Sequence, residues 1–300
     1  FKSLYLTGLA SFLIVMFSFI IPLSVDIDNQ IASKNDSKIN NSKTDFEKVL
    51  SGESIDDKEK VDEGLDLSNI LEDVFKFDEL PEDTVRLSAS TIEQLFKDTN
   101  YSLSEVRRTK KVKPIRLSLL PNEMKSIENS GKRKSLFIKI ILPLVLEENN
   151  RIIIDRKKLF SILNKNKNSK DEIKWLNQKF KQYGVLNKDL ATLKVRMDII
   201  PVSLAIAQAA KETGWGTSRF AIEGNALFGQ WTWSGEGIKP AGADTNATYK
   251  VMKFNVLKAS VRAYQRNLNT HSSYKKFRFI RAQLRDDNKK LDSLKLAEYL

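Results

Sequence analysis

The spacing of hydrophobic residues changes several times along the chain, which begins with an uninterrupted apolar run. Ser3–Val25 (SLYLTGLASFLIVMFSFIIPLSV) contains no charged residue and is long enough to cross a bilayer core of about 30 Å. Lys2 precedes the run and Asp26 follows it, a bias that favours a cytoplasmic N-terminus with the rest of the chain outside. We therefore predict a transmembrane anchor in residues 1–25, with a cleaved signal peptide as the alternative.

Polar residues replace the apolar run from residue 26 onwards. The stretches SKNDSKINNSKTD and SGESIDDKEKVDEG are rich in Asn, Asp, Ser, Lys and Glu, and few apolar residues recur there with any period. Such a composition buries too little apolar surface to offset the entropy of ordering the chain. Residues 26–113 are predicted to be an acidic, largely disordered linker that gives a tethered domain reach.

Helical patterns begin near Pro114 and continue to residue 195. The run SLFIKIILPLVL is too short to span a membrane, and Lys139 and Pro143 interrupt it, so a buried segment of a soluble core is favoured. Ser169 and Glu172 form a capping-box pattern that opens a helix, and Gly184 is suited to end it. Residues 114–195 are predicted to be a lead-in of several helices joined by short loops.

The strongest helical pattern in the chain is IIPVSLAIAQAAK, followed by Gly214 as a C-cap. Ser218 or Thr217 can cap a second, short helix that ends at Gly224. The aromatic stretch ALFGQWTW that follows is predicted to be extended, with its last two tryptophans on one face. KVMKF indicates a short strand, and LKASVRAYQRNL indicates a helix whose buried stripe includes Tyr264.

Composition narrows the chemistry that these elements could support. The chain has 300 residues, 50 Lys and Arg against 38 Asp and Glu, no cysteine, and a single histidine, His271. Disulfides and cysteine-ligated metals are excluded, and a lone histidine after a helix is more typical of capping or packing than of catalysis. Carboxylates are left as the carriers of any hydrolytic chemistry, and we predict neither a metal nor a cofactor.

The net charge of +12 is unevenly distributed, because acidic residues dominate before Asn100 and basic residues dominate after it. A large basic region favours a polyanionic partner such as nucleic acid, an anionic cell wall or a membrane surface. The apolar N-terminal run favours the cell envelope and argues against nucleic acid.

Glu212 is the leading catalytic candidate. It lies in the last turn of the predicted helix, where the negative end of the macrodipole disfavours a carboxylate anion. Trp215 is expected to desolvate it further, and both effects favour the protonated form that a general acid needs. The alternative is an ordinary surface glutamate at the end of a helix.

Aromatic and amide side chains follow Glu212 closely and could bind a sugar. Aromatic rings stack on the apolar faces of sugars, and amides can hydrogen-bond their hydroxyl or N-acetyl groups. The alternative is that the aromatic residues form a small core of their own. The predicted substrate-binding residues are Trp215, Asn225, Phe228, Gln230, Trp231 and Trp233.

The stretch AQAAKETGWGTSRFAIEGNALFGQWTW, read with NLNTHSSYKKFRFIRAQLR, resembles the Bax protein family. That family carries a glucosaminidase domain like that of glycoside hydrolase family 73, and the resemblance covers roughly Pro114–Leu300. It implies an α+β, mainly α, lysozyme-like domain at 196–300 with a small β-lobe across a cleft. The family's catalytic glutamate maps onto Glu212, and the implied reaction cleaves the β-1,4 bond after N-acetylglucosamine in peptidoglycan glycan strands.

The resemblance leaves the second carboxylate of a glycosidase open. The candidates are Glu236, which is slightly preferred, Asp244, and Glu223 as a weaker third. Related domains carry a cleft tyrosine after a helix resembling KLAEYL, so we expect a domain truncated at its C-terminus.

Two alternatives to a hydrolase also stay open. One is a lytic transglycosylase of the same fold, and the other is a non-catalytic wall-binding protein. In each case the expected partners are peptidoglycan and the inner membrane, with the domain in the periplasm or otherwise outside that membrane.

Overall fold

The computed structural model of the chain describes residues 67–76, 78–82, 84–233, 236–244 and 248–300. The predicted anchor Ser3–Val25 and the first part of the predicted linker lie outside these residues. Within them, no helix combines the length and the apolar character needed to cross a membrane.

The described part of the chain is mainly helical, with one small antiparallel sheet. The helices are α1 Leu67–Phe75, α2 Ala89–Asp98, α3 Leu103–Thr109, α4 Ser130–Leu163, α5 Lys170–Gln182, α6 Leu190–Arg196, α7 Val202–Thr213, α8 Arg219–Gly224, α9 Leu257–Thr270, α10 Lys275–Asp286 and α11 Ser293–Ala297, with 3₁₀ turns at Asn122–Ser126 and Ser272–Tyr274. The strands are β1 Trp231–Thr232, β2 Gly237–Ile238 and β3 Lys250–Met252. Their order is β1-β3-β2, with Val251 opposite both Trp231 and Ile238. The expected α+β, mainly α, class is confirmed for these residues.

Local end signals predict several helix boundaries correctly. The Ser169 hydroxyl accepts from the backbone N–H of Glu172, and the Glu172 carboxylate accepts from the N–H of Ser169, so the capping box is complete. Gly184 follows α5 with a φ of 64°. Ser218 caps α8 by accepting from the N–H of Ala221. These interactions join residues no more than a few positions apart, which is why sequence alone reveals them.

Helix α4 is one continuous helix within the predicted lead-in, and its 34 residues continue through Pro143. Proline has no N–H to donate to the carbonyl four residues earlier, which here belongs to Lys139. The Tyr101 hydroxyl donates to that Lys139 oxygen at 3.1 Å instead. A residue from a separate segment therefore satisfies the carbonyl that Pro143 leaves unpaired.

The prediction of a disordered linker is wrong for the second half of residues 26–113, which forms helices α1, α2 and α3. Residues 67–76 and 78–82 are called the strap below, and their helix α1 packs on α9 and α5. Leu71 and Val74 are buried in a cluster with Phe254 and Ala263. Arg266 donates to both oxygens of Asp73 at 2.9 and 3.2 Å. The partners are supplied from nearly two hundred residues away, so the local composition could not predict this order.

Asp78 attaches the strap to the segment between β3 and α9. Its Oδ1 accepts from the backbone N–H groups of Asn255 and Val256 at 2.7 and 3.0 Å. Burial raises the pKa of Asp78 to about 6; the two backbone hydrogen bonds oppose this rise and the nearby charge of Glu236 adds to it. Because this pKa is raised on folding, the native state binds more protons than the unfolded chain between about pH 4 and 6.

In wild type, the free energy of unfolding should therefore fall as the pH rises from about 4 to 6. Asp78→Asn is expected to make that fall smaller and to raise the thermal midpoint at pH 7. An asparagine oxygen can still accept both backbone hydrogen bonds, and it carries no charge to desolvate. Asp78→Ala, which removes the acceptor, should lower the midpoint at both pH values. Thermal unfolding at pH 4 and 7 checks this, and an Asn variant less stable than wild type at pH 7 would contradict it.

The main core surrounds α4, α7 and α9, and polar contacts set where α7 begins. Asn149 of α4 donates to the carbonyl of Ile200 and accepts from its N–H. Arg281 is fully buried and donates to the carbonyls of Asp198 and Ile199. The residues just before α7 are thus held by both α4 and α10, and the position of α7 is defined at its start.

Candidate functional site

Helix α7 carries Glu212 in its last turn, as predicted. The helix ends at Thr213, Gly214 caps it with a φ of 56°, and Pro201 is its N-cap residue. Ala205 and Ala209 are fully buried, and such small side chains let α7 approach the α4 backbone closely. The Glu212 side chain is exposed, so the expected desolvation is wrong: the end of the helix points this carboxyl towards solvent.

Trp215 lies at the edge of the core, with a left-handed φ of 62°. Its ring meets Phe137 edge-on with centroids 6.0 Å apart, and Lys134 Nζ lies 5.1 Å from the ring centroid. A Cβ on Gly216 would lie 2.9 Å from Phe137 Cδ2, so only glycine fits after Trp215. These contacts turn Trp215 towards α4, which explains why it does not cover Glu212.

The loop from Asn225 to Gln230 brings its backbone alongside Glu212. Buried Asn225 donates from Nδ2 to the carbonyls of Phe254 and Asn255, at 2.9 and 3.0 Å. Gly229 has a φ of +60°, and a Cβ placed on it would lie 3.6 Å from Glu212 Oε2. Asn225 thus holds the loop from behind, in place of the predicted contact with substrate, and Gly229 forms the side of the site next to the carboxyl.

Phe228 stacks on Tyr264 of α9, with centroids 3.8 Å apart and planes 7° from parallel. The Tyr264 hydroxyl is hydrogen-bonded to Gln208, which precedes Glu212 by one turn of α7. The ring of Phe228 is partly buried against the main core. Phe228 was predicted to bind sugar, and its contacts in the structure are those of a residue that packs against the core.

The strand that follows presents its tryptophans to solvent. Trp231 and Trp233 are 49% and 69% exposed, whereas Thr232 between them is buried, and this confirms the predicted alternation. Tyr249 meets Trp231 edge-on, with centroids 5.3 Å apart. Gln230 is half-buried, and its Oε1 has no hydrogen-bond partner in the described residues. That Gln230 oxygen is shielded from solvent. The exposed aromatic faces of Trp231 and Trp233 are the part of this strand that is suited to contact a carbohydrate.

The three candidates for a second carboxylate are all exposed. Glu236 precedes β2, which pairs with β3 on the side away from β1, and its charge acts on Asp78 of the strap. Glu223 Oε2 lies 3.9 Å from Arg219 Nη1, and both residues belong to α8. Asp244 lies in the loop between β2 and β3. The structure describes no contact between any of them and Glu212, and the choice among them stays a prediction.

Gln208, Gly229 and Tyr249 are not among the predicted site residues, although the sequence contains a signal for one of them. Gln208 precedes Glu212 by four positions, which places both on one face of α7. Gly229 lies in the aromatic stretch ALFGQWTW, and its place beside the carboxyl depends on how that loop folds. His271 is exposed, and its Nδ1 accepts from the N–H of Ser273, consistent with the predicted capping role.

Gly229→Ala is expected to lower any activity that depends on Glu212, because the added methyl group would lie against Oε2. The variant also places a side chain at positive φ, which costs roughly 1–2 kcal/mol. Gly242→Ala is the matched control: Gly242 has a φ of +80°, and no atom of the described residues lies within 4 Å of its added Cβ. Both variants should lose stability in chemical denaturation, and only Gly229→Ala should lose turnover; equal activities would contradict the placement.

Comparison with known proteins gives two matches. Residues 187–299 match the glucosaminidase family model, described as mannosyl-glycoprotein endo-beta-N-acetylglucosaminidase. Protein bax of Escherichia coli (strain K12) is 37% identical over 177 residues, which cover 56% of this chain and 62% of that protein. The chain thus matches less than two thirds of that relative's length. No solved structure matches it significantly. The two matches confirm the resemblance seen in the sequence.

Proposed function

From the match of residues 187–299 to the glucosaminidase family model and the similarity to Protein bax, we propose that this chain cleaves β-1,4 glycosidic bonds in cell-wall glycan as an endo-β-N-acetylglucosaminidase. The observation that carries the proposal is the setting of Glu212. Its carboxyl is exposed at the end of a helix that the core holds firmly, with the Gly229 backbone beside it. Glycosidases require a carboxylic acid that is positioned beside the scissile bond.

In the proposed reaction Glu212 donates its proton to the leaving glycosidic oxygen as the bond from that oxygen to the anomeric carbon breaks. Positive charge then develops on the sugar ring, and a water molecule attacks the anomeric carbon. The water's proton passes to a second base, for which Glu236 and Asp244 are the candidates, unless the acetamido group of the substrate takes part. Trp231 and Trp233 supply the proposed sugar contacts.

A lytic transglycosylase is the second candidate, and the position of Glu236 favours it. Glu236 precedes the strand farthest from β1, and its charge acts on the strap. A single carboxyl suffices for a transglycosylase, because the sugar's own hydroxyl replaces water as the nucleophile. No base beside Glu212 would then be needed to activate water.

Digestion of purified peptidoglycan by the chain tests both candidates. Mass spectrometry of the released fragments should find N-acetylglucosamine at their reducing ends if the proposed hydrolase is correct. Anhydro-muramic ends would select the transglycosylase. Binding to peptidoglycan without released fragments would overturn both and leave the non-catalytic wall-binding protein.

A substrate in the cell wall places the proposed site of action in the bacterial envelope. The predicted anchor Ser3–Val25 would tether the domain outside the inner membrane, and its role is a proposal from sequence only. Membrane fractionation of cells expressing the chain, with and without residues 1–25, tests the tether. Equal recovery in the soluble fraction would count against it.

A further inference from the structure

The hydrogen bond between Tyr264 and Gln208 joins α9 to the catalytic face of α7. Tyr264 is 4% exposed, and its hydroxyl donates to Gln208 Oε1. Burial raises the pKa of Tyr264 well above its usual range, and the neighbouring Tyr274 adds to the rise. The hydroxyl therefore keeps its proton, and a buried O–H that lost its acceptor would cost free energy, so it stays a donor to this oxygen.

This bond determines which end of the Gln208 amide is free. A glutamine amide has one accepting oxygen and one donating NH₂ group. The oxygen is occupied by Tyr264, and no acceptor for Nε2 is found in the described residues. Gln208 is half-buried and lies one turn from Glu212 on the same face of α7. An unpaired N–H donor is therefore presented beside the carboxyl.

Phe228 keeps this arrangement rigid from the other side. Its stacked contact with the Tyr264 ring, at 3.8 Å, prevents that ring from tilting. The next residue, Gly229, lies against the Glu212 carboxylate. The tyrosine, the amide and the carboxyl are thus linked by one continuous set of contacts around the place where a sugar would be bound.

We propose that Gln208 is a substrate-binding residue that donates a hydrogen bond to an oxygen of the sugar next to Glu212, and that Tyr264 is its positioning residue. The acceptor is a hydroxyl or an acetamido carbonyl oxygen. The inference rests on the proposed glycan substrate and names a determinant of its binding. Tyr264 itself, being buried, touches no substrate and acts only by holding the amide in one orientation.

A double-mutant cycle on the full chain tests this proposal. Gln208→Ala and Tyr264→Phe are each expected to lower kcat/KM on peptidoglycan by about tenfold, the size of one lost hydrogen bond. The double variant should be no slower than Gln208→Ala alone, because Tyr264 has nothing to position once the amide is gone. Effects that multiply to about a hundredfold would overturn the positioning role.

Binding measurements keep the test independent of both catalysis and folding. In a Glu212→Gln background, tryptophan fluorescence follows binding of an N-acetylglucosamine tetramer and of its de-N-acetylated counterpart, well below the unfolding midpoint of each variant. Weaker binding of both sugars after Gln208→Ala supports the proposal with a hydroxyl acceptor. Weaker binding of the acetylated sugar alone supports it with an acetamido acceptor.

Unchanged binding of both sugars after Gln208→Ala would overturn the proposal even if the wild-type chain cleaves glycan. Conversely, a wild-type chain that binds the tetramer through Gln208 and releases no fragments would contradict the proposed function and leave this inference standing. The two failures are therefore distinguishable.

Discussion

We expect Glu212→Gln to lower kcat/KM for the cleavage of peptidoglycan by a factor of about 10²–10⁴. Glutamine has nearly the same shape as glutamic acid and has no proton that it can transfer to a leaving oxygen. Because the Glu212 side chain is exposed, its replacement should change the free energy of unfolding by no more than about 0.5 kcal/mol. The loss would then belong to the chemistry and not to the fold.

Glu128→Gln is the matched control for that experiment, since Glu128 is an exposed glutamate outside the site. Release of soluble fragments from peptidoglycan, followed by chromatography, measures each variant against wild type. The control should be fully active. A Glu212→Gln variant as active as the control would sink the assignment of the general acid.

Glu148→Gln is expected to destabilise the domain by about 3–5 kcal/mol, which is the usual cost of breaking a buried ion pair. Glu148 is fully buried on α4. Arg262 of α9 donates to both of its oxygens at 2.9 and 2.8 Å, and Arg151 donates at 3.0 Å. A glutamine there would remove the negative charge that these two arginines share and would turn an N–H donor towards another donor.

The dependence of stability on pH gives a second test of the predicted role of Glu148. Burial works against its charged form, but the hydrogen bond from Arg262 and the charges of Arg151, Arg262 and Lys258 outweigh burial and lower the pKa. A lowered pKa contributes stability that is present at neutral pH and is lost as the pH falls through the folded-state value. The Gln variant should therefore show a shallower loss of stability in acid than wild type.

Chemical denaturation at neutral and acidic pH measures these differences, with Glu128→Gln again as the control. Replacing Glu148 and Arg262 together with methionine should recover part of the lost stability, because both members of the most buried ion pair are then removed at once. A Glu148→Gln variant within 1 kcal/mol of wild type at neutral pH would contradict the role of this pair.

Features that depend on neighbouring residues were predictable from the sequence. The capping box at Ser169, the caps at Ser218 and Gly214, and the last-turn position of Glu212 are all confirmed. The alternation of Trp231, Thr232 and Trp233 also follows from local geometry, because successive side chains of a strand point to opposite faces.

Features that depend on distant partners were not predictable. Helix α4 continues through Pro143 because Tyr101 reaches its unpaired carbonyl at Lys139. The strap is ordered because Arg266 pairs with Asp73 and because Asn255 and Val256 donate to Asp78. The composition of these residues predicts a polar linker, because the groups that bind them lie far away in the sequence.

The sequence by itself determined that Glu212 lies at the end of the segment with the clearest helical pattern, close in sequence to a stretch rich in aromatic residues. Only the tertiary structure decided what surrounds it. Trp215 turns to Phe137, Phe228 stacks on Tyr264, and Gly229 lies beside the carboxyl. The physical reason is that a helix end is specified by hydrogen bonds within one turn, whereas the exposure of a side chain depends on which distant elements pack against it.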